Sequence, residues 1–217
     1  MTQPDESLEL TTRSLCKTCR KPNRACLCAF ITPISNTVEL CILQHANEAQ
    51  HAKNTAILLQ LSLSACNTLV SSREETFDDE TLKEALYKGG RIPILLYPPY
   101  DESDALIEPP PPLPSNEKSS LDNLRLVVID ATWRKSRKLL YLHPQLQHLP
   151  RWSVLSSNPS IYKIRKADSE NQLSTLEASC YALGQLEEMP SRYYPLLQAM
   201  TQFVDQRLAF SRQSTSP

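Results

Sequence analysis

The sequence predicts an α/β domain with a largely parallel sheet, and three observations carry that expectation. Apolar runs of strand length alternate with segments of helical pattern along most of the chain. The clearest run, LRLVVID over 124–130, is apolar until it stops at an acid, as a strand built for burial would be. The chain has 217 residues, enough for one sizeable domain with a small appendage, and its 41% hydrophobic content is ordinary for such a domain.

The elements follow in order. Residues 1–14 are polar and are expected to be disordered, and a cysteine knuckle is expected over 15–36. The main domain then runs over 37–212. VELCIL at 38–43 reads as its first strand, AKNTAILLQLSL at 52–63 as a helix and CNTLV at 66–70 as a second strand. After the first strand, QHANEAQHAKNT at 44–55 reads as a polar loop lining a cleft. DDETLKEALYKGG is a helix that starts near Asp78 and is stopped by Gly89 and Gly90. RIPILLYP supplies a third strand ending at Pro98. Four consecutive prolines forbid regular structure within 98–123, which is expected to be a surface excursion or a flexible cover. After LRLVVID come a short helix over 133–142 and a strand, WSVL, at 152–155. LSTLEASCYALGQLEE is a helix with a capping box, Ser174 as cap and Glu177 three residues on. A last helix over 191–211 carries Pro195 in its first turn.

Composition removes several function classes. No run of 18 apolar residues exists, and the polar N-terminus has no secretory core, so a cytoplasmic protein without membrane contact is expected. Only three glycines occur, and no phosphate loop of the GxGxxG or GxxxxGK type can be written from them. Net charge is −1, so any nucleic acid must be held by local patches rather than by an overall basic balance. Four of the seven cysteines, Cys16, Cys19, Cys26 and Cys28, fall within thirteen residues. C-x2-C-x6-C-x-C in a chain without an export signal points to a closed, structural tetrahedral zinc site rather than to disulfides. His45, Glu48 and His51 form no open-site metal pattern.

Open parallel sheets bind ligands beyond the carboxyl ends of their strands. LYP (Leu96, Tyr97, Pro98), DATW (Asp130, Thr132, Trp133) and the loop before LSTLE are therefore candidates for one cleft. Asp130 is placed to act as a general base or to orient a substrate; its structural alternative is to cap the helix that follows. Trp133 suits base stacking or core filling. Arg134, Arg137 and Lys138 share a helical face, and with Arg20, Lys21, Arg24, Arg165 and Lys166 they are candidate RNA contacts.

The knuckle, QHANEA, LLYP, DATW followed by RKSRKLL, PQLQHLPR and SIYKIRKADSENQLSTLEA stand in the order found in DTW-domain proteins, over about residues 15–190. The chain thus resembles tRNA-uridine aminocarboxypropyltransferases. That resemblance implies a SPOUT-like fold with a trefoil knot over 37–212 and S-adenosylmethionine as donor. It implies tRNA as partner and transfer of a 3-amino-3-carboxypropyl group to N3 of a uridine, with release of methylthioadenosine. It makes Asp130, within D-x-T-W, the implied base. It does not say which groups anchor the donor; Leu96, Tyr97, Pro98, Ser174, Thr175 and Glu177 are the candidates. Two other readings stand beside it: an S-adenosylmethionine-dependent RNA methyltransferase, and a non-catalytic zinc-knuckle RNA-binding protein. The number of subunits, the tRNA and the uridine position are not written in the sequence.

Overall fold

The structure is a computed structural model that describes residues 14–50, 54–72, 76–102, 107–114, 120–154 and 173–213. Its centre is a five-stranded sheet built from β1 (Glu39–Gln44), β2 (Cys66–Val70), β3 (Ile92–Leu96), β4 (Leu124–Asp130) and β5 (Arg151–Trp152). The spatial order is β2-β1-β4-β3-β5, and every pairing is parallel. The predicted parallel sheet is thus present.

Helices cover both faces. Side chains alternate along a strand, so Leu40, Ile42, Leu126, Val128 and Ile94 face one side, and Cys41, Leu43, Val127, Ile129 and Leu95 the other. The first side is packed by α2 (Ala56–Ser62), α6 (Thr175–Leu186) and α7 (Tyr194–Gln213). The second is packed by α3 (Asp79–Tyr87), α4 (Trp133–Leu142) and α5 (Pro144–Gln147). Cys19 and Leu27 belong to the first core, and Phe30 meets Phe203 of α7 edge to face at 5.6 Å, so the cysteine segment is packed into the body of the domain.

The local signals read from sequence account for three helix ends. The Asp78 side chain accepts from the Thr81 amide and starts α3; Gly89 and Gly90, both at positive φ, turn the chain out of it. Ser174 and Glu177 form the full capping box of α6. QHANEA is a correction: the stretch expected to be a polar loop contains a helical turn, α1 (Ala46–Gln50), closed by amides of Glu48 and Ala49 on the His45 carbonyl. The helix expected from 52 begins at Ala56 instead, and residues 51–53 lie outside the described ones. In the proline-rich stretch, Ile107 is buried in the second core and the Glu108 amide donates to Gln147, which pins that segment to α5. The N-terminal segment 1–13 and all of SIYKIRKADSENQ, including Tyr162 and Lys163, lie outside the described residues.

Strand order positions the site. The connection leaving β1 returns to the sheet on one side, at β2, and the connection leaving β4 returns on the other, at β5. β1 and β4 are neighbours, so the crevice between diverging connections opens at their carboxyl ends. The register sets Gln44 and Asp130 directly opposite each other there.

Candidate active site

Asp130 ends β4 half-buried, and three contacts fix it. Its Oδ1 accepts from Thr175 Oγ1 at 2.7 Å, its Oδ2 accepts from Gln44 Nε2 at 2.8 Å, and its carbonyl accepts from the His45 amide at 3.0 Å. A carboxylate has about four lone-pair positions, so among the described residues two of them stay open while the group is held rigidly. Asp130 does not cap α4: the cap position belongs to Thr132, whose side chain makes no capping hydrogen bond.

Beside Asp130 lies a cavity of about 320 Å³. Its walls come from the end of β3 (Leu96, Tyr97, Pro98), the end of β4 (Val128, Ile129, Ala131), Trp133 and the entry of α6 (Ser174, Thr175). Thr175 therefore lines the cavity and holds Asp130 at its edge. Of the residues predicted to bind a donor, Leu96, Tyr97, Pro98, Ser174 and Thr175 meet here. Glu177 is fully buried away from the wall, its Oε2 taken by the Ser174 amide in the capping box.

Trp133 is 51% exposed and stacks on Tyr97 with ring centroids 5.3 Å apart. On the outer side of that pair lies a second recess, with Arg137 in its wall and the Arg151 guanidinium over the rings of Tyr97 and Tyr100. Arg134 and Lys138 turn instead, with Thr132 and Lys135, to a third recess. The basic face of α4 is thus split in two, each part exposed beside the strand ends.

In the four-cysteine segment every Sγ lies within 4.8 Å of the others, with Cys16–Cys28 at 3.5 Å and Cys19–Cys26 at 3.7 Å. Tetrahedral zinc with Zn–S near 2.3 Å needs sulfurs about 3.8 Å apart, so the donor set fits. Backbone amides of Cys19 and Thr18 pull the Cys16 thiol down to about 6, whereas burial and the adjoining sulfurs push Cys28 up to about 12. Arg20 is exposed and Lys21 is 8% exposed; both face a further cavity between this segment and the sheet. Arg165 and Lys166 lie outside the described residues, as does the side chain of Arg24.

Sequence reasoning passed over Gln44 and Arg151. Gln44 carried a signal: it is a polar residue at the end of a buried strand, the same mark that singled out Asp130. Arg151 carried none, because its role depends on which strand lies beside β3.

Comparison with known proteins adds three findings. The family model described as the DTW domain matches residues 13–208. The chain is 28% identical over 182 residues to tRNA-uridine aminocarboxypropyltransferase 2 of Macaca fascicularis, covering 81% of this chain and 57% of that protein. It is 28% identical over 190 residues to the protein of the same name in Drosophila melanogaster, covering 82% and 68%. With tRNA-uridine aminocarboxypropyltransferase A of Arabidopsis thaliana it shares 29% identity over 152 residues, 64% of this chain and 55% of that one. The chain thus spans little more than half the length of most of these relatives. No solved structure matches it.

Proposed function

The chain belongs to the DTW-domain family, and on that premise we propose that it is a tRNA-uridine aminocarboxypropyltransferase that uses S-adenosylmethionine as donor. The observation that carries the reading is the Asp130 carboxylate. It is clamped by Gln44 and Thr175 at the switch point of the sheet, on the edge of a cavity sized for a small molecule. The names of the relatives support the reaction.

When bound, the donor supplies an electrophilic methylene carbon next to a sulfonium. Asp130 accepts the N3 proton of a uridine, which frees the ring nitrogen's electron pair. The new N–C bond forms as the C–S bond breaks, and methylthioadenosine carries away the pair from that bond. Choosing this carbon over the methyl is a matter of aim. Leu96, Val128, Ile129 and Ala131 give the donor an apolar bed, and the open amides of the first turn of α6 suit its carboxylate. Thr175 keeps the base pointed at the reacting nitrogen. Trp133 presents an exposed ring for an RNA base, and Arg134, Arg137 and Lys138 offer charge to its phosphates. Four cysteinyl sulfurs hold one structural zinc ion. The same reading takes the fold as SPOUT-like and knotted; the wholly parallel sheet and the cavity at the α6 entry suit the SPOUT-like part of it.

The test is incubation with bulk tRNA and S-adenosylmethionine, followed by nucleoside mass analysis. A gain matching the aminocarboxypropyl group is expected; a gain of one methyl would make the protein a methyltransferase, and no gain would leave an RNA-binding module. Asp130→Asn is expected to lower the rate by about 10²–10⁴-fold while tRNA binding persists.

A further inference from the structure

The structure holds a larger cavity on the other side of Asp130. It measures about 460 Å³ and lies between the cysteine segment, α2 and the carboxyl-terminal half of the β1–β2 pair. Six polar side chains face it, Arg20, Lys21, Gln44, Asn54, Gln60 and Thr68, among apolar ones from the cysteine segment and α2. Gln44 is 6% exposed and links the two spaces, since its side chain forms part of this wall and also donates to Asp130 Oδ2. Thr175 stands on the far side, in the wall of the donor cavity. The row Thr175–Asp130–Gln44 is therefore the partition between the two cavities. The Thr68 hydroxyl, buried in this second wall, has no hydrogen-bond partner among the described residues. Buried hydroxyls are seldom left so.

We infer that this second cavity receives the acceptor pyrimidine, and that Gln44 reads the uracil edge beside Asp130. This rests on the transferase reading above. A primary amide has two N–H groups, and Asp130 takes one. The other is left for a ring carbonyl, so Gln44 and Asp130 side by side offer donor then acceptor. Uracil presents the complement, a carbonyl oxygen next to a protonated N3. Cytosine presents an unprotonated N3, which would set a lone pair against the Asp130 carboxylate. The pair thus selects uridine and, in the same contact, places the proton to be removed on the base. Arg20 and Lys21, next to the zinc-ligand candidates, set positive charge where the attached phosphates would lie.

The test measures transfer to tRNA and donor affinity separately, by nucleoside mass analysis and by calorimetry with S-adenosylmethionine. Gln44→Ala is expected to lower kcat/KM for tRNA roughly tenfold to a hundredfold, with the donor Kd unchanged. Gln60→Trp, at an exposed position of α2, fills the second cavity from its rim without touching the core, and is expected to raise KM for tRNA at constant donor Kd. If both variants transfer at the wild-type rate, or lose donor affinity in proportion to rate, the acceptor lies elsewhere and this inference fails alone. A wild-type protein that transfers nothing overturns the transferase reading, and this one with it.

Discussion

At the scale of single residues, the site depends on orientation as well as on the acid itself. A carboxylate at a strand end is common; one with each oxygen tied to a different element is a fixed instrument. The Thr175 hydroxyl supplies one tie from the start of α6. Thr175→Val keeps the shape and removes the bond, so kcat is expected to fall roughly tenfold to a hundredfold with KM for tRNA little changed. Thr175→Ser should restore it. Steady-state kinetics of the three proteins separates this positioning role from loss of fold, which would weaken binding as well.

At the scale of elements, two junctions make predictions of their own. His143, between α4 and α5, has Nε2 3.2 Å from the Phe77 amide that donates to it and 3.0 Å from Thr76 Oγ1, just before α3 begins. Burial holds this imidazole below the usual 6.5, against the weaker pull of Asp79. A lowered value in the folded state means that the unfolded chain takes up the proton first. The stabilisation is therefore complete above about pH 6.5 and is lost as pH falls from there through the folded value. Thermal melts from about pH 7.5 to about pH 5 should show that decline, and His143→Gln should flatten it. The second junction is Gly184 of α6, where an added Cβ would stand 2.9 Å from the Pro190 Cα. Gly184→Ala is expected to destabilise by about 1–3 kcal/mol in denaturant titration, because backbone must move to admit it. Such close approaches mark what the sequence could not disclose. LRLVVID, the capping box and the Asp78 start were legible because each is a local pattern. The partition was half legible: Asp130 announced itself, whereas Gln44 gains its meaning only from a partner 86 positions away. The split of Arg137 from Arg134 and Lys138 depends on what packs beside α4, which no helical spacing encodes.

At the scale of the whole molecule, the cysteine segment and the sheet form one body. Cys19 and Leu27 sit fully buried in the same core as β1 and α7, and Phe30 packs on Phe203. Zinc bound by four thiolates contributes on the order of 10 kcal/mol to such a segment, and here that contribution would be shared with the core. Removing the metal with a strong chelator is expected to lower Tm in a single cooperative transition, rather than to melt a small unit first. Calorimetry with and without chelator checks this, and native mass spectrometry should find one zinc per chain. Cys26→Ser should reproduce the chelated behaviour.

The place of β4 between β1 and β3 has one more consequence, and it concerns how the protein is made. While the chain leaves the ribosome, β1 can find β2 early, since only a short connection separates them. The other edge of β1 stays open until residue 130 has emerged, because β4 is the strand that closes it. An open edge of a buried apolar strand is a template for the wrong neighbour. Nascent chains of this protein therefore pass through a window in which a holding chaperone, or fast translation across the stretch from β2 to β4, decides between folding and aggregation.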